Sequence, residues 1–299
     1  MKDLLLEVKG LRKKYDNNIV LKEINLKIKE GIIYGLLGKN GAGKTTLIEC
    51  VEGLRPFDKG EVLFNRSKEN VDIAKFMGVQ LQNEALPNML KVEEALNLFS
   101  VTKNCKLSEK LIKKMGLEKL LDKQYYQLST GQKRIVSLFL ALNHNPKIVF
   151  LDEPTAGLDV EAKISVYKVI KEYKEKGTSF ILTSHDMSEI ERIADIVGVL
   201  MDGKIIFEGS PKKLTGNSNN LYKISYLLKR TNDLEENNIS DQTNINYKEI
   251  VTSNITLALE ELITHNRSSN LEFSDLRIER PTLEEAFIKI LENEKKENK

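Results

Sequence analysis

Residues Gly38, Lys39, Asn40, Gly41, Ala42, Gly43, Lys44, Thr45 and Thr46 are spaced to hold phosphate, in the pattern G-x-x-x-x-G-K-[ST]. Glycines let the backbone wrap phosphate oxygens, Lys44 brings positive charge to the β and γ positions, and the Thr45 hydroxyl can ligate Mg²⁺. Asp152 ends the apolar run Ile148-Val149-Phe150-Leu151, the expected place for a carboxylate of the Mg²⁺ shell. Glu153 follows, and a carboxylate beside a γ-phosphate can orient and polarise water for in-line attack. An isolated Asp-Glu pair is ordinarily a solvated turn; the phosphate loop upstream favours catalysis.

Weaker candidates surround this group. His185 lies past a second apolar run, Ser179–Leu182, where an imidazole can reach a γ-phosphate or hold water and Glu153 in line. Gln82, after Gly78–Leu81, offers an amide to Mg²⁺ or water, with Gln80 as its rival. Tyr15 can stack on an adenine ring, although a solitary Tyr in a turn also reads as packing or surface. His144 and His265 lack any such setting.

A second phosphate-binding helix start stands at Leu128-Ser129-Thr130-Gly131-Gln132. A small, hydroxyl-bearing turn before Lys133–Leu142 aims free backbone amides at an anion. Two such sites on one short domain raise the question of whether they serve the same phosphate.

The elements that must position these residues alternate. Residues 4–8 and 19–28 read as strands around the turn Tyr15–Asn18, with Ile24, Leu26 and Ile28 on one face. Gly31–Leu37 reads as a buried strand feeding the glycine loop, and 44–53 as a helix. The runs before Asp152 and Thr183 are each followed by a helical pattern, so a parallel sheet with ligands at its C-terminal strand ends is expected. Val92–Phe99 and Glu109–Met115 are amphipathic, so about 84–145 forms a helical insert. Pro211 marks a boundary between domains 1–210 and 211–299. In the second, strands at Tyr222–Leu228, Ile245–Val251 and Leu271–Ile278 alternate with helices at Leu257–Thr264 and Leu283–Leu291, an α+β pattern ending in a charged tail, Glu292–Lys299.

Composition agrees with an ordinary globular protein of one large domain plus a small one, or two medium domains. The 299 residues are 40% hydrophobic and 30% charged, with a net charge of +2, so no general attraction to nucleic acid is expected. Cys50 and Cys105 read as idle thiols. An early acid, Glu7, breaks the N-terminal apolar run, which argues against a signal peptide. No segment approaches the roughly 18 apolar residues of a membrane helix, so action at a membrane needs another chain to span it.

Together these residues resemble the nucleotide-binding subunit of ATP-binding cassette (ABC) transporters across residues 4–210. The motifs run in the family's order: A-loop Tyr15, Walker A Gly38–Thr46, Q-loop Gln82, signature Leu128–Gln132, Walker B Ile148–Asp152, catalytic Glu153, D-loop Ala156-Gly157-Leu158-Asp159 and H-loop His185. Two departures stand out: Lys39 where Pro is frequent, and Thr130 where the usual signature has Gly.

The resemblance implies an α/β fold: a P-loop NTPase core with a mostly parallel sheet, an N-terminal antiparallel β subdomain, the helical insert and a small C-terminal α+β appendage. It implies ATP and Mg²⁺ as cofactors. Ser129, Gly131 and Gln132 would complete the ATP site of a second chain, in a homo- or heterodimer, with Asp159 beside them. Dimer closure would drive a separate transmembrane permease from the inner face of the cell membrane. The segment Glu279–Phe287 resembles the ending of drug- and peptide-resistance ATPase subunits, which favours export; it also reads as a Pro-started amphipathic helix packing on its own domain. The alternatives are an importer ATPase, or a soluble ABC ATPase of DNA repair, chromosome organisation or translation. The last usually brings a long coiled coil or two cassettes, neither of which is read here.

Overall fold

Hydrophobic pattern and strand order together decide where the phosphate loop lies. In the computed structural model, which describes residues 3–65, 72–80, 86–184, 186–216, 222–230, 247–268 and 271–297, the chain divides into two units, Met1–Ser210 and Pro211–Lys299.

The first unit opens with the hairpin β1 (Leu4–Tyr15) and β2 (Asn18–Lys29), which pairs with β4 (Lys59–Phe64) in an antiparallel sheet of order β2-β1-β4. Ile24, Leu26 and Ile28 are buried while the intervening Asn25, Lys27 and Lys29 are exposed, the period-two pattern of a strand covered on one face. Their side chains share one core with Tyr34, Leu36, Leu47 and Phe150.

The second sheet has the order β5-β6-β7-β3-β8-β9. Its strands are β3 (Ile33–Leu37), β5 (Met77–Gln80), β6 (Ile148–Asp152), β7 (Ser179–Thr183), β8 (Ile196–Met201) and β9 (Lys204–Gly209). All neighbours are parallel except β8 with β9. β3, β6 and β7 are buried at every position, as expected of strands covered on both faces. Helices α1 (Lys44–Glu52), α6 (Val160–Glu175) and α7 (Met187–Ile193) follow β3, β6 and β7 respectively. The short α2 (Ile73–Phe76) leads into β5.

Between β5 and β6 lies the helical insert. It contains α3 (Val92–Thr102), α4 (Glu109–Lys114), two 3₁₀ turns and α5 (Thr130–Leu142). Asn143, just past α5, ties it together: its amide donates to Ser100 Oγ, the Cys105 sulfur and the Lys106 carbonyl, and it accepts from the Ser108 amide.

The second unit is built around an antiparallel sheet of order β11-β10-β12, from β10 (Tyr222–Arg230), β11 (Lys248–Thr252) and β12 (Leu271–Glu279). Ile224 and Tyr226 of β10 pack on Ala258 and Leu262 of α9 (Ile255–Ser268), and Tyr226 meets Phe273 edge to face at 5.7 Å. α10 (Leu283–Glu297) packs on α8 (Pro211–Gly216). Its start is a capping box: Thr282 Oγ1 accepts from the Glu285 amide, and the Glu285 carboxylate accepts from the Thr282 amide.

Several elements differ from the sequence expectation, among them β4 and α2, which it did not contain. β8 and β9, missed above, form a hairpin at Asp202-Gly203, both at positive φ (45° and 77°), and an Asp-Gly pair between apolar runs is the signal that marks such a turn. Pro211 begins a helix as well as a boundary. β11 starts at Lys248, while Ile245 lies outside the described residues.

Candidate active site

β3 delivers the chain into the glycine loop and α1 carries it away. Gly43 caps α1 at φ 102°, a left-handed conformation that costs glycine little and other residues more. It supplies no capping side chain, which leaves the first-turn amides for an anion. Lys44 curls over its own loop, its Nζ donating to the Gly38 carbonyl at 2.6 Å and the Lys39 carbonyl at 3.1 Å. Burial pushes its pKa down, and the fields of Asp152 and Glu153 oppose that shift.

Because β7 lies between β6 and β3, Thr183 at its end stands between Asp152 and the loop. The Thr183 hydroxyl donates to Asp152 Oδ1. The Glu153 amide donates to the Thr183 carbonyl at 3.2 Å and its hydroxyl at 3.3 Å. Glu153 itself has φ 51°. A non-glycine residue held there costs on the order of 1–3 kcal/mol and persists only where its surroundings over-determine it.

These strand ends and the loop enclose one cavity of 370 Å³. Asn40, Gly41, Gly43, Lys44, Thr45 and Thr46 line one side; Asp152, Glu153, Thr183 and Ser184 line the other, with Val20 of β2 beside them. Lys39 and Ala42 line a neighbouring groove of 400 Å³ bounded by Asn18, Lys22 and Gly203, and neither is among the residues lining the cavity of Asp152 and Glu153. Gly38 backs onto the Leu200 carbonyl of β8. The hydroxyl of Thr45 and the carboxylate of Asp152 are hard oxygen donors of the kind that Mg²⁺ takes alongside substrate phosphates. Among the described residues no cluster of three or more His, Cys, Asp or Glu could hold a metal by itself.

The second helix start lies elsewhere. Ser129 caps α5 with its Oγ accepting from the Gln132 amide at 3.2 Å, while Gln132 Oε1 accepts from the Ser129 amide at 3.1 Å. This capping box, Ser-x-x-Gln, was legible in the sequence and was missed. Gly131 sits against the D-loop turn of its own chain; a Cβ there would stand 3.0 Å from both the Gly157 carbonyl and Leu158 Cδ2. Thr130 is exposed, with its methyl facing Gly157. Asp159 caps α6, its Oδ1 accepting from the Ala162 amide at 2.8 Å. None of Ser129, Gly131, Gln132 or Asp159 lines the cavity formed by Lys44 and Asp152.

Tyr15 also stays outside that cavity, 37% exposed at the hairpin end, with Lys13 and Arg55 at 5.2 and 5.4 Å from its ring centroid. Gln82 and His185 lie outside the described residues. Gln80, the rival amide, is buried; its Nε2 donates to the Arg134 carbonyl, fastening β5 to α5. Arg134 in turn donates to the Asp152 carbonyl at 3.3 Å. Sequence reasoning passed over Thr183, although it ends a buried strand as Asp152 does.

Comparison with known proteins agrees with this geometry. The family described as ABC transporter matches residues 21–156. A lantibiotic transport ATP-binding protein of Streptococcus pyogenes is 32% identical over 72% of this chain and 93% of its own length. The chain belongs to the ABC transporter ATP-binding family. It is an ABC-type ATP hydrolase.

An Fe(3+) ions import ATP-binding protein of Fusobacterium nucleatum is also 32% identical, over 78% of this chain and 65% of its own length. Among solved structures, an ATP-binding subunit of an ABC transporter superposes with TM-score 0.66 at 27% identity, covering 72% of this chain and 93% of the other. A dimeric post-hydrolysis ATP-binding cassette bound to ADP and Pi superposes with TM-score 0.61 at 25% identity, covering 69% and 98%. Among the described residues, no helix is long and apolar enough to cross a membrane.

Proposed function

We propose that this chain is the ATP-driven half of a bacterial exporter, acting in a pair of ATPase subunits at the inner face of the membrane and moving a separate transmembrane permease. The observation that carries this reading is the divided site. Lys44, Thr45, Asp152 and Glu153 line one cavity, and Ser129, at the start of α5, is not among the residues that line it.

ATP then sits with its phosphates on Lys44 and the amides of 41–46, and with Tyr15 against adenine. Thr45, Asp152 and Gln82 suit Mg²⁺, which when bound neutralises charge on the β and γ oxygens. Ser129, Gly131 and Gln132 of the second subunit cover the γ-phosphate, near Asp159. Glu153 orients water in line with Pγ, a task the resemblance also assigns in part to His185; the oxygen–phosphorus bond to ADP breaks as the new bond forms. Loss of the covered phosphate removes the charge that held the two subunits closed, and the pair opens.

Export is favoured by the resemblance of Glu279–Phe287 to the ending of drug- and peptide-resistance ATPase subunits and by the lantibiotic transport relative. The iron-import relative favours the opposite direction. Affinity isolation of the chain from native membranes, followed by mass spectrometry, tests the coupling: co-isolation of a multi-spanning membrane protein is expected. Its absence, together with tight association with DNA or ribosomes, contradicts the proposal. A substrate-binding protein in the same complex contradicts export.

A further inference from the structure

A buried carboxylate outside the phosphate cavity holds both of the segments that frame Glu153. Glu189, in the first turn of α7, is 8% exposed. Its Oε2 accepts from Thr155 Oγ1 at 2.6 Å and from Ser184 Oγ at 3.2 Å, and its Oε1 accepts from Lys163 Nζ of α6 at 2.8 Å. Thr155 lies two residues after Glu153. Ser184 follows Thr183, the residue that receives the Glu153 amide. Ser184 Oγ also accepts from the Asp186 amide at 3.0 Å.

The Glu153 turn needs such support. Its left-handed backbone is unfavourable for glutamate and must be held from outside. Within the turn, the Ala156 amide donates to the Glu153 carbonyl and the Leu158 amide to the Thr155 carbonyl. Those bonds shape the turn, and the Glu153 amide on Thr183 ties its first residue to β7. Glu189 adds a second tie further along, bridging Thr155 on one side and Ser184 on the other. Burial pushes the Glu189 carboxyl up, but the bonds from Lys163 and Thr155 oppose it, and the group lies below its ordinary value.

We propose that Glu189 is a positioning residue for ATP hydrolysis, setting where Glu153 stands by clamping Thr155 to Ser184. The clamp rests on the role proposed above for Glu153. It acts on the step that needs in-line geometry and leaves nucleotide binding alone, since the glycine loop and Lys44 lie on β3 and α1. Displacement of a reacting group by about 1 Å costs on the order of a hundred-fold in rate.

The test is steady-state Mg-ATP hydrolysis by the full chain, with fluorescent-nucleotide titration and thermal melting on the same preparations. Glu189→Gln and Thr155→Val are each expected to lower kcat by about ten- to a hundred-fold at unchanged KM and unchanged nucleotide affinity. The double variant is expected to be no slower than the slower single one, because the two substitutions break one link. Thr155→Ser, which keeps the hydroxyl, restores kcat to near the unmodified value. Wild-type kcat in Glu189→Gln, with Glu153→Gln inactive, overturns the clamp and spares the role of Glu153. Full turnover in Glu153→Gln overturns that role itself. A rate loss matched by lost nucleotide affinity or a collapsed melting transition marks Glu189 as structural only and overturns the proposal.

Discussion

The hydroxyl of Thr183 donates to Oδ1 of Asp152 across two adjacent parallel strands, and the Thr183 carbonyl receives the amide of Glu153. One residue at the end of β7 therefore orients two consecutive acidic residues at the end of β6. Asp152 is buried, so its lone pairs need partners, and an abandoned one costs about 1–3 kcal/mol. Thr183→Val should lower stability by about that amount and reduce Mg-ATP turnover, while Thr183→Ser keeps both. Chemical denaturation and an ATPase assay on the two variants check this.

Ser129 has a measurable structural duty that separates from its proposed one. As N-cap of α5 it accepts the Gln132 amide. Loss of such a cap costs about 1 kcal/mol. Ser129→Ala should therefore melt slightly lower, whereas ATP-induced pairing of chains should fall far more than that cost explains. Analytical ultracentrifugation with and without ATP, alongside melting curves, distinguishes the two effects.

Gly131 invites a sharper change at the same helix start. A methyl at this position meets the Gly157 carbonyl and Leu158 at 3.0 Å. Gly131→Ala should push the start of α5 off the D-loop turn, at a cost of about 1–3 kcal/mol, and weaken ATP hydrolysis through both segments. Hydrogen exchange at 129–133 and 156–159 should rise together.

Glu52, near the end of α1, is buried, with Oε2 lacking a hydrogen-bond partner. Burial first, then the charges of Glu49 and Asp152, push its pKa from 4.5 up to about 8. In that interval the folded chain keeps a proton that the unfolded chain has released. The native state then binds more protons, so stability falls as pH rises from 4.5 to about 8. The slope reaches at most about 1.4 kcal/mol per pH unit. Glu52→Gln should flatten this decline and raise stability at pH 8, as read by denaturant unfolding across the range.

The legible parts of the fold were those whose signal is local. Ile148–Leu151 before Asp152, and Ile33–Leu37 before the glycine loop, announce buried strands with chemistry at their ends. The capping boxes at Ser129 and Thr282, and the Asp202-Gly203 hairpin, were equally local and simply unread. What the sequence could not display are bonds between distant segments. Thr183 reaches Asp152 across 31 positions, and Thr155 reaches Glu189 across 34. Such pairs depend on strand order, which puts β7 between β6 and β3, and no periodicity within either segment encodes that order. The same holds for Gln80, whose amide serves β5–α5 packing because Arg134 happens to face it.

The central claim is that the cavity of Lys44 and Glu153 is half a site, completed by the Ser129 end of another subunit. Glu153→Gln retains the phosphate loop and removes the proposed water-orienting carboxylate, so it should bind ATP without releasing the γ-phosphate. Size-exclusion chromatography with light scattering should then give the mass of one 34.1 kDa chain without nucleotide and twice that mass with ATP. A single-chain mass with ATP demonstrably bound would contradict the account.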